Sequence, residues 1–272
     1  MTRQASEQDH YFLGVDRTAL RRYELFHEVY QPATEMRLAT LAVKPNAQVV
    51  DIGCGIGRTA CYFATAVVPN GQVVGIDESE ELISLARHSA KEQGIDNVAF
   101  QVGRAQDHAF EPSTFDLAHT RFVLSYSPFS AEIVKLIHGA LAPGGILFAE
   151  EIVQDYVRHN APAGFDRLCD WFARLIALNG GDPNYGRKAL PSHMLGAGFA
   201  DLTVTSFAPV ANQPAIAEML SLALSTEMKK AIVDNGLGTA DEVDAVVGDL
   251  RSIDHRTLVS VAPAYQVTGI RR

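Results

Sequence analysis

Three glycines at alternate positions follow an aspartate in the segment Asp51-Ile52-Gly53-Cys54-Gly55-Ile56-Gly57. Because glycine has no Cβ, such a turn can adopt positive φ and lets a ligand lie against the backbone. Asp77 comes 20 residues after Gly57, and a carboxylate there can accept charge-assisted hydrogen bonds from two vicinal ribose hydroxyls. The spacing therefore predicts a site for a ligand that carries a ribose.

Two classes of ligand fit this spacing. The stretch Gly55-Ile56-Gly57-Arg58-Thr59-Ala60 satisfies the G-x-G-x-x-G/A pattern of dinucleotide sites, which suggests an NAD(P)-dependent oxidoreductase. Asp51 argues against a pyrophosphate in this turn, because the two groups carry like charge, whereas a ligand with an ammonium group would be attracted. In addition, no tyrosine of the sequence is followed four residues later by the lysine expected for one common type of hydride-transfer site.

Other polar residues come at or just after further predicted strands. His119 follows Asp116 by three positions and is either a base facing a substrate or a hydrogen-bonded structural histidine. Glu150 and Glu151 end a strand, and we expect one of them to orient a substrate hydroxyl or amine while the other faces solvent. The carboxyl ends of parallel strands lie on one edge of a sheet, so Asp51, Asp77, His119 and Glu150 are expected to meet there.

Strands and helices alternate around these residues. Short apolar runs predict strands, and longer stretches with apolar residues on one face predict helices. The predicted strands are Ala47–Ile52, Gln72–Ile76, Val98–Val102, a strand that begins at Phe115–Ala118, Ile146–Glu150, Asp201–Phe207 and a last β-rich run over Thr257–Gly269. The predicted helices include Arg17–Leu41, Arg58–Val67, Ser79–Gln93, Ala131–Leu141 and Ala163–Ala177. This order predicts an α/β fold, doubly wound, with a mostly parallel sheet.

We expect one domain over residues 1–272. It divides into an N-terminal helical cap at 1–45, a ligand-binding core at 46–152 and a helical insertion at 153–197. A helical lid at 208–256 completes it, and is expected to cover the ligand edge of the sheet. The lid is rich in Ala, Leu, Met and Val between Ala215 and Met228, which suits either an apolar substrate or the surface of a homodimer.

The composition limits the classes of partner. Among 272 residues, 23 are Lys or Arg and 32 are Asp or Glu, for a net charge of −9, which argues against nucleic acid. The three cysteines form no C-x-x-C pair, so the sequence predicts neither a disulfide framework nor a metal site and favours a cytoplasmic location. No apolar run approaches the about 20 residues needed to cross a bilayer, so we expect no membrane association.

The motifs resemble those of a known family when they are taken together. Asp51-x-Gly53-x-Gly55-x-Gly57, Asp77, Phe115-Asp116 and Leu141-Ala142-Pro143-Gly144-Gly145 are similar, in order and spacing, to the motifs of class I S-adenosylmethionine-dependent methyltransferases. The resemblance implies a Rossmann-like, seven-stranded sheet whose last strand is antiparallel. It further implies that the glycine turn holds the methionine moiety of S-adenosylmethionine, that Asp77 binds the ribose, and that the turn at Gly103 flanks the adenine.

The resemblance also implies a set of cofactor-binding positions. They are Tyr11, Asp51, Gly53, Cys54, Gly55, Gly57, Asp77, Glu78, Arg104, Ala105, Gln106 and Thr120. One position departs from the family, which often has Gly-Asp-Ala where this chain has Gly103-Arg104-Ala105, and an arginine cannot accept a bond from the adenine amino group. Gln106, Asp107 or a backbone carbonyl takes that role instead, or Arg104 stacks on the adenine.

The expected activity is methyl transfer to a small organic metabolite. His119 and Glu151 are the candidate bases, and Arg121, Tyr126, Glu150 and Trp171 are the candidate substrate contacts. The sequence leaves open whether the acceptor atom is oxygen, nitrogen or carbon. It also leaves open a protein of this fold that catalyses a rearrangement or cyclisation without methylation.

Overall fold

The computed structural model describes residues 16–211, 214–224 and 226–272, so Tyr11 lies outside the described residues. Ten strands occur in these ranges: β1 (Gln48–Ile52), β2 (Gln72–Asp77), β3 (Val98–Val102), β4 (Phe115–Arg121), β5 (Leu141–Ile152), β6 (Arg158–His159), β7 (Phe199–Phe207), β8 (Val210–Ala211), β9 (Leu258–Ser260) and β10 (Ala264–Arg271). The α-helices of the same ranges are α1 (Arg17–Leu38), α2 (Arg58–Tyr62), α3 (Glu80–Glu92), α4 (Ser130–Ala140), α5 (Ala163–Leu178), α6 (Tyr185–Lys188), α7 (Leu190–Ala197), α8 (Pro214–Leu222), α9 (Thr226–Asp234) and α10 (Ala240–Arg251).

Seven strands form the central sheet, in the order β3-β2-β1-β4-β5-β10-β7. The pairs from β3 to β5 are parallel, and β10 runs antiparallel to both of its neighbours, β5 and β7. Helices alternate with the strands, as the order of sequence patterns predicts. The predicted doubly wound fold, with one antiparallel strand, is confirmed.

Three boundaries differ from the sequence predictions. The segment predicted as one helix after the glycine turn ends as a π-helical turn over Phe63–Val67. Strand β5 begins five residues earlier than predicted because Leu141 already pairs with Phe115, across a register shift. The last β-rich run is two strands: β9 belongs to a small sheet of order β6-β9-β8, and β10 belongs to the main sheet. Pro263 separates them, and proline has no N–H to donate to a ladder.

A helical layer outside the central sheet has its own core. Buried residues of α1, α5, α8, α9 and α10 form this core, with Trp171 at 0% exposure among them. Asp16 fixes the start of α1, since its Oδ1 accepts a hydrogen bond from the backbone N–H of Ala19 at 2.7 Å. None of the helices in the described ranges is long and apolar enough to cross a membrane.

The glycine turn connects β1 to α2 with three residues at positive φ: Gly53 at 70°, Gly55 at 53° and Gly57 at 76°. The backbone N–H groups of Gly53 and Cys54 donate to the carbonyl of Ile76 at 2.7 and 3.0 Å, which ties the turn to β2. A Cβ on Gly57 would lie 2.7 Å from the Cβ of Ala86 and 2.7 Å from the ring of Phe100, whereas a Cβ on Gly55 would have no atom within 4 Å. Gly57 is therefore required by packing, while Gly55 faces open space.

Replacement of Gly57 and Gly55 by alanine separates the cost of a steric clash from the cost of a left-handed backbone. Gly57→Ala is expected to lower the free energy of unfolding by about 2–4 kcal/mol, because it adds a steric clash to the cost of a left-handed backbone. Gly55→Ala, the matched control, is expected to lower it by only about 1–2 kcal/mol, because it carries the backbone cost alone. Urea unfolding measures both values, and equal losses would contradict the packing role of Gly57.

Candidate active site

A cavity of about 570 Å³ lies where the central strands end, beneath the helical layer. Residues from the ends of β1, β2 and β3 and from the turns after them form its glycine-turn side: Asp51, Ile52, Gly53, Cys54, Gly55, Ile56, Arg58, Thr59, Ile76, Asp77, Glu78, Gly103, Arg104, Ala105 and Gln106. Residues from the helical layer and its loops form its aromatic side: Arg22, Tyr23, Phe26, His27, Phe122, Tyr126, Tyr156, Phe165, Leu168, Cys169, Phe172, Met219, Leu220, Ala223, Val261 and Ala262. His119 and Arg121 of β4 also line the cavity and connect the two sides. Its volume suits a small organic ligand.

Asp77 organises the glycine turn from the end of β2. Its Oδ2 accepts a hydrogen bond from the backbone N–H of Gly55 at 2.9 Å, and its Oδ1 accepts one from Ser79 at 3.0 Å. Burial raises the pKa of Asp77, and these two backbone donors oppose the shift. The carboxylate lines the cavity beside Glu78, so these two predicted cofactor-binding residues both lie on the glycine-turn side.

A chain of buried charged groups crosses the sheet beneath the cavity. The Nδ1 of His119 lies 2.7 Å from Oδ1 of Asp51, and the Nε2 of His119 lies 3.1 Å from Oε1 of Glu150. The exposed fractions of the three residues are 2% for Asp51, 1% for His119 and 2% for Glu150. Strand register explains the first contact, because Asp51 pairs with His119 across β1 and β4. Glu150 pairs with Arg121, two residues after His119 on β4, and so reaches His119 diagonally.

The two carboxylates favour the charged form of His119. Burial alone would lower the pKa of His119, but Asp51 and Glu150 outweigh it, and the pKa is raised. Burial alone would raise the pKa of Glu150, but His119 and Arg121 hold it below its ordinary value. Since both ring nitrogens of His119 are occupied, the geometry matches the structural role considered for this residue better than that of a base.

Asp51 keeps one oxygen for a ligand. Its Oδ1 binds His119, whereas its Oδ2 is buried without a hydrogen-bond partner among the described residues. A buried, unpaired carboxylate oxygen is costly, and a cationic donor entering the cavity would satisfy it. The ammonium group of S-adenosylmethionine has this chemistry, and the open space above Gly55 lets a ligand approach the backbone. The residues present therefore fit the cofactor that the resemblance implies.

The turn after β3 lies on the same side of the cavity. Arg104, Ala105 and Gln106 all line it. Asp107 does not line it, and its carboxylate lies 3.5 Å from the guanidinium of Arg104. Of the two side chains considered as acceptors for the adenine amino group, Gln106 is the one that faces the cavity.

Five of the predicted residues that the structure describes do not line the cavity; Glu151, the fifth, is treated below. Gly57 packs against α3 and β3, as described above. Thr120 is fully buried on β4, on the opposite face from its neighbours His119 and Arg121. Glu150 lies behind the cavity wall, where it accepts from Thr34 at 2.7 Å and from Gln266 at 2.8 Å. Trp171 is buried in the helical layer, its indole donates to the carbonyl of Leu237 at 3.1 Å, and the neighbouring Phe172 is the one that lines the cavity.

Glu151 anchors the loop after β4. Its Oε1 accepts from the backbone N–H groups of Val123 and Leu124, and its Oε2 accepts from the N–H and hydroxyl of Ser125, at distances from 2.6 to 3.2 Å. Glu151 has 0% exposure and Glu150 has 2%, so the expectation that one of the two faces solvent is wrong. Burial raises the pKa of Glu151 to about 7 although four donors oppose the shift. Glu151 does not line the cavity and acts on the loop that carries Phe122 and Tyr126.

The aromatic side includes residues that the sequence prediction missed, among them His27. It follows Tyr23 and Phe26 on one face of α1 at helical spacing, and this spacing is the signal that indicates a shared position. Burial, together with the charges of Arg121 and Arg58, lowers the pKa of His27 to about 4. Arg121 and Tyr126, two of the predicted substrate contacts, do line the cavity.

Arg121 links the helical layer to the glycine-turn side. Its guanidinium donates to the hydroxyl of Thr34 on α1 and to that of Thr59 on α2, both at 3.0 Å. Across the described ranges, no three His, Cys, Asp or Glu side chains are placed to hold a metal ion. The candidate site is thus built from an acidic turn, a charged row on the sheet and an aromatic wall.

Comparison with known proteins places the motifs in a family. A family model described as a methyltransferase domain matches residues 43–184, just over half of the chain. This range contains the glycine turn, Asp77 and the whole charged row of β1, β4 and β5.

Individual relatives agree with the family model. The demethylmenaquinone methyltransferase of Bacillus cytotoxicus is 31% identical over 128 residues, which make up 47% of this chain and 53% of that protein, so the match spans about half of the relative. Methyltransferase str2 of Strobilurus tenacellus is 25% identical over 268 residues, which make up 96% of this chain and 92% of that protein. The structure of the YcgJ protein of Bacillus subtilis covers 89% of this chain and 99% of its own, with a TM-score of 0.62 and 18% identity, which shows a shared fold.

The raised pKa of Glu151 predicts a pH dependence of stability. The ionised carboxylate of Glu151 is less favourable in the folded protein than in the unfolded chain. The stability that the protonated carboxyl contributes is therefore fully present below pH 4.5 and is lost as the pH rises through about 7. Across this window, the free energy of unfolding of the wild type is expected to fall by up to about 3 kcal/mol relative to Glu151→Gln. Urea unfolding at several pH values measures the difference, with the exposed Glu111→Gln as control. Parallel curves for wild type and Glu151→Gln would contradict the shift.

Proposed function

Since the chain belongs to the class I S-adenosylmethionine-dependent methyltransferases, we propose that it methylates a small organic molecule bound on the aromatic side of the cavity. The observation that carries this proposal is the continuity of one cavity from the glycine-turn side to the aromatic side. One side has the groups that fit the cofactor, and the other has room for a second molecule. The acidic net charge of −9 favours a metabolite over nucleic acid.

We propose that three groups hold S-adenosylmethionine. The free Oδ2 of Asp51 would accept from its ammonium group, the carboxylate of Asp77 would accept from the ribose hydroxyls, and the backbone at Gly55 would lie against it. Gln106 would take the position beside the adenine. Support comes from the unpaired oxygen of Asp51 and from the lining of the cavity by all of these residues.

When bound, S-adenosylmethionine supplies a methyl group on a positively charged sulfur, and the electron pair of the carbon–sulfur bond leaves with sulfur as the acceptor forms its bond to the methyl carbon. The tasks left to the protein are alignment of the acceptor and exclusion of water. Phe26, Phe122 and Phe172 would do both, because they close the cavity opposite the sheet. The ring centroids of Phe26 and Phe122 are 4.9 Å apart, which indicates direct packing.

We propose positioning roles for the two residues first considered as bases. His119 would orient Asp51, because its ring bridges Asp51 and Glu150. Glu151 would hold the loop after β4 in place, because its carboxylate binds three successive backbone N–H groups. Neither role requires transfer of a proton from the acceptor.

The alternatives differ in their support. Family membership removes the reason to consider an NAD(P)-dependent oxidoreductase. A rearrangement or cyclisation on the same fold would be distinguished by turnover without release of S-adenosylhomocysteine. A homodimer and a cytoplasmic location stay predictions from the sequence.

The assignment of Asp77 is tested with S-adenosylhomocysteine, the reaction product that the family implies. Asp77→Ala is expected to weaken its binding by about tenfold or more, because the ribose loses its charged acceptor. Titration calorimetry measures the affinity, and circular dichroism checks that the variant is folded. Asp77→Asn is the smaller change for comparison, and Asp96→Ala, at an exposed position outside the cavity, is the matched control. Unchanged affinity in a folded Asp77→Ala protein would reject the ribose site.

A further inference from the structure

The carboxylates that line the cavity are confined to one side, whereas arginines line both sides. The lining carboxylates, Asp51, Asp77 and Glu78, all belong to the glycine-turn side. Among the described residues, the aromatic side has no carboxylate in its lining and includes Arg22, while Arg121 lies at the junction of the two sides. The chain as a whole has a net charge of −9, yet the charged side chains described around the pocket left for the acceptor are arginines. The rest of that lining is largely apolar and aromatic.

The junction presents a cation, Arg121, to the cavity. The guanidinium of Arg121 lies 4.0 Å from Glu150, but that carboxylate is shared with His119, Thr34 and Gln266. The pKa of His27 is sensitive to the positive charges here. Burial is the largest cause that lowers this pKa to about 4, and the charges of Arg121 and Arg58 come next. A negatively charged group brought to this place would be stabilised.

As far as the structure describes it, the aromatic side offers donors but no effective base. Burial raises the pKa of Tyr126 and Tyr156 far above neutrality, and it raises the pKa of Cys169 to about 11. These three groups stay protonated at neutral pH. His27 is neutral, but a base with a pKa of about 4 takes a proton readily only from a group that is itself about as acidic.

From this arrangement we infer that the methyl acceptor is an apolar, ring-bearing molecule that binds as an anion, with its charged oxygen at Arg121 and its ring among the aromatic residues. The inference rests on the proposed function and narrows its substrate class to carboxylic acids and acidic phenols or enols. An electron pair of the ionised acceptor forms the bond to the methyl carbon, the pair of the carbon–sulfur bond leaves with sulfur, and no proton has to be removed first. Such an acceptor reacts without a base on the aromatic side.

The aromatic side of the cavity suits the apolar part of such a molecule. Rings of Tyr126 and Phe172 have centroids 6.2 Å apart with an edge-on arrangement, and those of Tyr156 and Phe165 are 5.9 Å apart in the same way. A planar ring that enters among them would make further edge-to-face contacts. Leu168 and Met219 fill the remaining wall with aliphatic surface.

Three probes of nearly equal shape test the charge preference: trans-cinnamate, cinnamamide and cinnamylammonium. Each is titrated by calorimetry into the wild-type protein saturated with S-adenosylhomocysteine. We expect cinnamate to bind about tenfold or more tightly than the neutral amide, and the cation to bind most weakly, because the ring contacts are shared and only the charge differs.

Variants locate the charge that is responsible. Arg121→Gln is expected to reduce the preference for cinnamate to about threefold or less, and Arg121→Lys to retain an intermediate preference, since lysine keeps the charge and loses the paired donors. Arg251→Gln removes an exposed cation of α10 outside this cavity and is expected to leave the preference unchanged. If the Arg121 variants do not fold, the relative affinities of the three probes for the wild type still decide whether the acceptor binds as an anion.

The outcomes separate this inference from the proposed function. Failure of S-adenosylhomocysteine to bind the wild type would reject the proposed function. Binding of S-adenosylhomocysteine with equal affinity for cinnamate and cinnamamide, or with no binding of any probe at millimolar concentration, would overturn the anionic acceptor. A preference for cinnamate that disappears in Arg121→Gln would support it.

Discussion

The structure depends on one buried interaction, the bridge that His119 forms between Asp51 and Glu150. Three titratable groups with exposures of 1–2% are tolerated in the sheet because each is paired and hydrogen-bonded, as burial of such groups requires. Removal of the imidazole would leave two carboxylates in the same apolar surroundings. The bridge also makes the two oxygens of Asp51 different. Oδ1 is bound by His119, whereas Oδ2 has no partner among the described residues and is available to a ligand.

The same row connects the site to the outer elements. Glu150 accepts from Thr34 of α1 and from Gln266 of β10, while Arg121 donates to Thr34 and to Thr59 of α2. The N-terminal helix, the antiparallel strand and the helix after the glycine turn are therefore held by one hydrogen-bonded network. Because α1 also contributes Phe26 and His27 to the cavity, the network that orients Asp51 also positions part of the wall around the second substrate.

The fold was predictable because its signals are local. Glycine spacing, strand-ending aspartates and the alternation of strands and helices gave the sheet, and Asp51, Gly55 and Asp77 line the cavity as expected. The orientation of Glu150 and Glu151 was not predictable, because β5 is buried on both faces and its sequence lacks the alternation that separates inside from outside. The sequence also does not show which of Trp171 and Phe172 lines the cavity, since both lie on an apolar part of α5. The role of His27 depends on the packing of α1 over distant residues, which helical spacing alone does not specify.

We propose that Asp51, held by His119, binds the ammonium group of the cofactor. The most direct test is titration calorimetry of wild type and Asp51→Asn with S-adenosylhomocysteine and with 5′-methylthioadenosine, which keeps the nucleoside and lacks the amino-acid part. We expect the wild type to prefer S-adenosylhomocysteine by about tenfold or more, and Asp51→Asn to lose most of this preference while its affinity for 5′-methylthioadenosine is nearly unchanged. An undiminished preference in a folded Asp51→Asn protein would show that Asp51 does not bind the ammonium group.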